Sequence, residues 1–396
     1  MIMNNTLQPK TAIQPTSTAP SLSAFLELAF RPLYLFSAVW ALSAIGLWIY
    51  APQFLSWPLT GLAWHAHEML WGFVATIAVA FLMTAGANWT GINPLKGGAL
   101  AVVSVLWLIA RVGFLAGGQN LFLVAAAAEL SFFLLAAVAM MRSVYRAKNA
   151  RNYAVPWLLV GLAAADAAYL LATRSGDYVL LMQRFNVGLL VMALIALLIA
   201  RRVIPFFASQ AVNGLTLPAR TRTGHVQLAA CVAGVIFLLA DLALPYAVAL
   251  ATAGALALWQ LVTWKPYAIR RIPLVWILYV GYAGLGVGLL LAALRAAGAS
   301  MPPALPVHMI AMAGFSVLII GMMTRTALGH LGRPLATDGS MVTSYVLMLI
   351  AVALRLVALV PTPFNALALQ LSAAAWMAVF SLYLWRFAPL LIRPRK

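Results

Sequence analysis

The sequence predicts an all-helical membrane protein, a polytopic bundle of about twelve transmembrane helices. Composition is the first reason, because 65% of the 396 residues are hydrophobic and only 8% are charged, whereas soluble domains carry about 25% charged residues. The length of the apolar runs is the second reason. Each run is long enough to span a membrane as a helix, whereas the strands of a membrane β-barrel alternate in polarity over about 10 residues.

The chain divides into a polar tail over residues 1–24 and a single transmembrane domain over residues 25–396. The tail is rich in Ser, Thr, Pro and Asn, which is typical of disorder, and it lacks the pattern of a signal peptide. The count of twelve spans takes Pro245 as a break between spans seven and eight, although a proline can also kink one helix. The predicted spans lie near residues 31–52, 63–86, 98–117, 121–142, 154–173, 180–205, 225–244, 246–264, 274–295, 304–325, 341–361 and 365–387.

The Lys and Arg residues predict that both termini lie in the cytoplasm. With the N-terminus inside, all but five of the 25 Lys and Arg residues fall in cytoplasmic segments, as expected for a protein of an inner or plasma membrane. The five on the outer side are Arg111, Arg174, Arg184, Arg295 and Arg355. The net charge of +18 is scattered through short loops and is not gathered on one face. This scattered charge argues against nucleic acid as a partner. Membrane lipid remains the expected partner.

Three of the five histidines are expected at one depth in the membrane, near its outer side. His65 and His67 lie in the outer turns of span two, and His308 lies in the outer turns of span ten. Polar groups are costly in a membrane, so these three are candidate metal ligands. A helix turns by about 200° over two residues. His65 and His67 are therefore expected on different faces of the helix. They could be ligands of two separate sites, or one could be a ligand and the other a residue that supports it. His225 and His330, on the inner side, are interpreted as interfacial residues.

Haem is the cofactor that best suits imidazoles in an apolar setting. It needs one or two axial ligands, a broad apolar slot and cations for its propionates. Four outer arginines could pair with the propionates, and contact with lipid headgroups is their alternative role. These arginines are Arg111, Arg184, Arg295 and Arg355.

Copper is a second candidate, because imidazole and thioether ligands both suit it and methionines flank the histidines. These are Met69, Met309 and Met312. Zinc is less favoured, because the sequence suggests no Cys or carboxylate cluster that would complete a tetrahedral site.

Three acidic residues fall within predicted spans, and each must be paired or protonated there. Glu68 is expected to orient a neighbouring ligand. Glu129 and Asp166 are expected to transfer protons or to pair with an arginine, although simple hydrogen bonds between packed helices are the alternative. Intramembrane Asp166 and Glu129 would also suit a cofactor-free secondary transporter. A structural subunit of a respiratory complex is a third class that the sequence leaves open.

Several short motifs resemble those of the NnrS family over essentially the whole chain from about residue 25. The most specific is Trp-His-Ala-His-Glu-Met at residues 64–69. The others are Phe30-Arg31-Pro32-Leu33-Tyr34, Arg201-Arg202-Val203-Ile204-Pro205-Phe206-Phe207, His308-Met309, Met322-Met323-Thr324-Arg325-Thr326 and Gly329-His330.

The resemblance implies a multi-pass protein of the bacterial inner membrane that contains haem and copper. It implies a role in denitrification or in the response to nitric oxide and nitrosative stress, by redox or nitric-oxide-handling chemistry. Nitric oxide and a quinol are the partners expected, and whether the protein is an enzyme is left open. The motif positions that carry over are His65, His67, Glu68, Arg202, His308, Arg325 and His330.

A weaker similarity links the chain to the catalytic subunits of haem–copper oxidases and nitric oxide reductases, which also have about twelve spans. Their second helix carries a haem-ligating histidine followed by a Gly-x-x-Asn-Trp-like corner, and here His67 precedes Gly86-Ala87-Asn88-Trp89. By that analogy His67 and His308 would be an axial pair. The chain has too few histidines, and no adjacent pair, for an oxygen-reducing binuclear site.

Overall fold

A computed structural model describes residues 19–218 and 221–395, and within them every regular element is helical. The predicted fold class is confirmed, because twelve helices are long and apolar enough to cross a membrane. They are α1 Phe30–Tyr50, α2 Gly61–Thr90, α3 Gly97–Ala116, α4 Gln119–Arg146, α5 Ala150–Ala172, α6 Tyr178–Ala211, α7 Thr221–Leu239, α8 Ala243–Thr263, α9 Pro273–Ala296, α10 Ala304–His330, α11 Gly339–Val357 and α12 Asn365–Leu391.

The predicted break between spans seven and eight is present, but it precedes the proline. Helix α7 ends at Leu239 and α8 begins at Ala243, with Asp241 in the left-handed region at a φ of 54°. Pro245 lies in the first turn of α8, where a backbone N–H would have no partner within the helix anyway. Span six was predicted near residues 180–205, and α6 continues to Ala211 with Pro205 inside the helix.

The helices form a closed ring around a buried centre. Consecutive helices pack against each other, and α12 packs against α1. The exception is α2 and α3, which meet chiefly through side chains, such as Trp107 Nε1 donating to Gly72 O at 3.2 Å. Helices α2, α6 and α10 also contact one another in the interior, and 78% of the most apolar stretch of α2 is buried. Most side chains on these three helices are therefore shielded from lipid, which is where a polar site can be kept in a membrane protein.

Two of these central helices contain a π-helical stretch directly after a predicted site histidine. Glu68–Ala75 follows His67 in α2, and Met309–Ser316 follows His308 in α10. At the end of each stretch a hydroxyl donates a hydrogen bond to the carbonyl five residues earlier. Thr76 Oγ1 lies 3.1 Å from Trp71 O, and Ser316 Oγ lies 3.0 Å from Ala311 O. The two stretches touch each other, and such turns are frequent at functional sites.

The start of the described chain is attached to its end. The Ser21 N–H donates a hydrogen bond to Ile392 O at 2.8 Å, beside the helical turn Leu22–Phe25. Arg31 donates to Leu391 O and Arg393 O, at 3.0 and 2.6 Å. Residues 1–18 of the predicted tail lie outside the described residues, so the tail stays a prediction there.

Candidate functional site

A cavity of about 1010 Å³ lies at the predicted outer end of the bundle and is called the outer cavity below. Ligand pockets in proteins span about 300–1,000 Å³, so the outer cavity has room for a large ligand. Mostly apolar and aromatic side chains line it, from nine helices of the bundle. The predicted cofactor or metal ligands and propionate partners among its lining residues are His65, His308, Arg295, Arg355, Met69 and Met312.

His308 has one ring nitrogen free to bind a ligand. Its Nδ1 atom lies 2.8 Å from the carbonyl oxygen of Ala304. A carbonyl oxygen can only accept, so Nδ1 carries the proton and donates. The Nε2 atom then keeps its lone pair. Histidines that bind metals are held in this way, with the second ring nitrogen donating to a carbonyl or carboxylate.

His65 lies in the same cavity on a different helix. Its ring stacks on Trp48, with centroids 4.9 Å apart and planes 12° apart. Its Nδ1 atom is buried and has no hydrogen-bond partner among the described residues. His65 also lies within electrostatic reach of His308 and Arg355. A buried imidazole nitrogen without a partner is costly, and the ring of His65 forms part of the cavity wall, where a ligand can contact it.

Two of the four predicted propionate partners line the outer cavity. Arg355 reaches it from α11, and Arg295 reaches it from α9 while donating to Met301 O at 3.1 Å. Arg184 does not line the cavity, and Arg111 is engaged elsewhere. Of the three methionines predicted as copper ligands, Met69 and Met312 line the cavity and Met309 does not. Met182, which was not predicted as a ligand, also lines the cavity.

His67 lies in a separate buried cluster and not in the outer cavity. Its Nδ1 atom is 2.9 Å from Glu68 Oε1, and its Nε2 atom is 3.1 Å from Asp166 Oδ1 and 3.2 Å from Glu129 Oε2. The predicted pairing of His67 with His308 is therefore corrected, because His67 has no free ring nitrogen. The two-residue spacing directs His65 and His67 to different faces of α2, as expected, and it is His65 that shares a cavity with His308.

Arg111 completes this cluster, which is called the buried charge cluster below. Its guanidinium donates to both Glu68 and Glu129. Trp40 Nε1 also donates to Glu68 Oε2, at 2.7 Å. The cluster joins residues of α2, α3, α4 and α5, and all of its members are at most 2% exposed: His67, Glu68, Arg111, Glu129 and Asp166.

Both ring nitrogens of His67 face carboxylate oxygens, so at least one proton is shared within the buried charge cluster. Either His67 is a cation that donates from both nitrogens, or one of the facing carboxyl groups, on Glu68, Glu129 or Asp166, is protonated and donates to the ring nitrogen that it faces. Moving that proton between His67 and Asp166 needs little movement of heavy atoms. The arrangement can therefore hold and release a proton in the membrane interior.

The same residues also satisfy the distance requirement of a metal site. His67, Glu129 and Asp166 each offer one ligand atom, and these atoms lie within 4.8 Å of one another. Zinc was less favoured because no Cys or carboxylate cluster was expected to complete a tetrahedral site, whereas the structure brings two carboxylates together with a histidine. The three residues lie on three different helices, and no local spacing in the sequence reveals their proximity.

Gly72 provides the space for the buried charge cluster. A Cβ atom at this position would overlap the Arg111 guanidinium, and it would lie 2.7 Å from Glu68 Oε2 and 3.0 Å from Trp40 Nε1. A side chain would therefore displace groups that neutralise one another. This close approach explains why glycine follows Trp71 in the motif of the second helix.

We expect Gly72→Ala to lower the free energy of unfolding by about 1–3 kcal/mol, the usual cost of overpacking. The measurement is the thermal unfolding midpoint of the purified protein in detergent. Gly98→Ala is the matched control, because a Cβ atom there meets nothing within 4 Å. Equal midpoints for the two variants would show that Gly72 does not limit the packing of the cluster.

The remaining motif residues lie at the opposite, predicted inner end. Arg202, Arg325 and His330 line a second cavity, of about 720 Å³, which is called the inner cavity. His330 was predicted to be interfacial, and it contributes to this wall with its ring 5.5 Å from that of Phe30. His225 lines neither cavity and is exposed.

Comparison with known proteins identifies one family. The family model described as NnrS protein matches residues 24–395, nearly the whole chain. A comparison with curated proteins finds no match.

Proposed function

Because this chain belongs to the NnrS family, we propose that it is a haem-binding protein of the nitric oxide response, with its haem in the outer cavity. Membership of this family supports the assignment of the chain as a multi-pass membrane protein of the nitric oxide response. The observation that carries the haem proposal is the convergence of His65 and His308 on one large, mainly apolar cavity. We place the protein in a bacterial inner membrane and connect it with denitrification, with quinol as the candidate electron donor.

The residues of the outer cavity suit a haem. His308 offers an unprotonated Nε2 atom, and His65 offers an imidazole whose Nδ1 has no partner among the described residues. Arg355 and Arg295 supply positive charge for two propionates. A haem iron held there would supply nitric oxide binding or one-electron transfer, depending on whether one or both histidines bind it.

The buried charge cluster is proposed to hold a proton for chemistry in the outer cavity. Ala66 and Met69 line the cavity, and His67 and Glu68 lie between them in sequence on the opposite side of α2. Tyr169 stacks near His67, with centroids 5.9 Å apart, and lies 6.3 Å from Phe185, a residue of the cavity wall. The cluster is thus adjacent to the cavity but separated from it by aromatic rings.

Copper remains a second candidate ligand of the outer cavity. Met69, Met182 and Met312 line it together with His65. Thioether and imidazole ligands together favour copper, especially Cu(I), over hard cations. Copper bound at this place would compete with haem for His65.

A reduced-minus-oxidised optical spectrum of the purified protein, repeated after adding nitric oxide, tests the proposed function. We expect sharp bands of a bound haem. A shift with nitric oxide indicates one histidine ligand and an open position, whereas an unshifted spectrum indicates two. A featureless spectrum, from protein produced with ample haem, would overturn the haem proposal and favour the secondary transporter that uses Asp166 and Glu129. Uptake blocked by Asp166→Asn would then be expected.

A further inference from the structure

The inner cavity takes no part in the chemistry proposed above. Its volume of about 720 Å³ lies within the range of ligand pockets, about 300–1,000 Å³. The inner ends of α2, α6 and α10 form most of its wall, together with the start of α5. It lies at the opposite end of the same central helices as the outer cavity, so it can bind a ligand of its own.

Arg325 is a buried cation at this cavity without an acidic partner. The residue is 6% exposed, and its guanidinium carbon lies 3.7 Å from the centroid of the Phe207 ring. Within residues 19–218 and 221–395 its guanidinium makes no ion pair and no hydrogen bond. Burying a cation in this way is costly. A partner from outside the chain would offset that cost.

Arg202 is held toward the same cavity by neutral groups. Its Nη1 atom donates to Asn152 Oδ1 at 2.8 Å, and its Nη2 atom donates to the Arg151 carbonyl at 3.2 Å. Asn152 is itself positioned by a hydrogen bond to Asn149 Oδ1, at 3.2 Å. These contacts orient the guanidinium while leaving its positive charge uncompensated.

The lining of the inner cavity is basic on one side and apolar on another. Arg151, Arg202 and Arg325 contribute three positive charges, and among the described residues no Asp or Glu side chain lines the wall. Guanidinium groups bind phosphate and carboxylate oxygens in pairs of parallel hydrogen bonds. The apolar part includes Val203 and Phe206, and Phe206 is 54% exposed on a helix that spans the membrane.

We propose that the inner cavity binds a phosphate-class anion between Arg202 and Arg325. The anionic headgroup of an inner-leaflet phospholipid and free inorganic phosphate share this chemistry. Basic pockets between transmembrane helices at the cytoplasmic side are known to bind anionic headgroups. Such an anion would neutralise the unpaired guanidinium groups and would connect the inner ends of α5, α6 and α10.

The test is the thermal unfolding midpoint of the full chain, purified in a neutral detergent and titrated with anions. One arm adds phosphatidylglycerol, with phosphatidylcholine as reference. The other adds inorganic phosphate, with chloride at equal ionic strength as reference. We expect the midpoint to rise with the anion in at least one arm. Arg202→Gln and Arg325→Gln should each weaken the apparent affinity by about tenfold or more, because each removes a charge-assisted hydrogen bond.

Arg146→Gln is the matched control, because Arg146 is an exposed arginine at the same end of the bundle and does not line the cavity. It should leave the anion response unchanged. Stabilisation by phosphatidylglycerol alone would identify a lipid headgroup, and stabilisation by both would identify a site open to free phosphate. No rise in either arm, or an equal loss of affinity in Arg146→Gln, would overturn the proposal.

Two further readouts separate loss of the site from misfolding and from failure of the haem proposal. Without added anion, Arg325→Gln should unfold at a temperature no lower than the unaltered protein, because it removes an unpaired buried charge. Haem content should be the same in all of these variants. An anion response lost in Arg325→Gln together with unchanged haem content supports the inner site, whatever the outer cavity binds.

Discussion

Replacing His308 by alanine is expected to abolish most haem binding while the protein still inserts and folds. The Nε2 atom of His308 is the ring nitrogen in the outer cavity that the Ala304 hydrogen bond leaves free to coordinate. Loss of groups that merely orient a metal ligand already costs about 10–100-fold in affinity, so loss of the ligand should cost at least as much. The measurement is haem per mole of purified protein, from the absorbance of the extracted cofactor.

His65→Ala should lower haem content in the same way if both imidazoles bind, and His225→Ala is the control. His225 is exposed and lies at the other end of the bundle, so its removal should leave haem content unchanged. Full haem content in both His65→Ala and His308→Ala would refute the assignment of the outer cavity. Copper content, measured on the same samples by metal analysis, tests His65 as a copper ligand.

Replacing Arg111 by methionine is expected to give the largest loss of stability of any single change considered. The guanidinium pairs with Glu68 and Glu129, and all three side chains are at most 2% exposed. Removing one partner of a buried ion pair costs about 3–5 kcal/mol, because the other charge is left uncompensated. That is a large part of a typical stability of about 5–15 kcal/mol. Thermal unfolding and the yield of folded protein measure the effect.

Neutralising the acids should restore much of the stability lost in Arg111→Met. In a combined variant with Glu68→Gln and Glu129→Gln, no unpaired charge remains at these three positions, so the effects of the changes should not add. Arg174→Met is the control, because Arg174 is exposed at the same end of the bundle. An Arg111→Met protein as stable as Arg174→Met would show that the buried pairs contribute nothing to folding.

Local patterns in the sequence predicted the helices and the sorting of the histidines. A span must supply about 20 apolar residues in a row, so each helix is recognisable by itself. The two-residue spacing of His65 and His67 likewise implied opposite faces of one helix. The boundaries were predicted less well, as at the inner end of span six, where α6 continues past Pro205 to Ala211.

The residues of the buried charge cluster were each suspected, and pairing of Glu129 or Asp166 with an arginine was one of the expectations, but the association of all five residues was not predicted. Glu68, Glu129 and Asp166 stand alone in their spans, and Arg111 was assigned to a propionate because it lies at the outer end. A signal was present, since Arg111 and Glu129 fall at similar depths on adjacent helices of one hairpin, and buried charges need partners. Nothing comparable in the sequence indicated that Asp166 lies close to His67.

The sequence by itself determined that this is a twelve-helix membrane protein of the NnrS family, because hydrophobicity and short motifs are properties of contiguous residues. Only the tertiary structure decided which distant residues meet. It brought His65, and not His67, to the cavity of His308, and it enclosed His67 among carboxylates. It also placed Arg202 and Arg325 at one inner cavity. The physical reason is that rotation and packing of helices around the ring set these contacts, and they depend on side chains all along the chain.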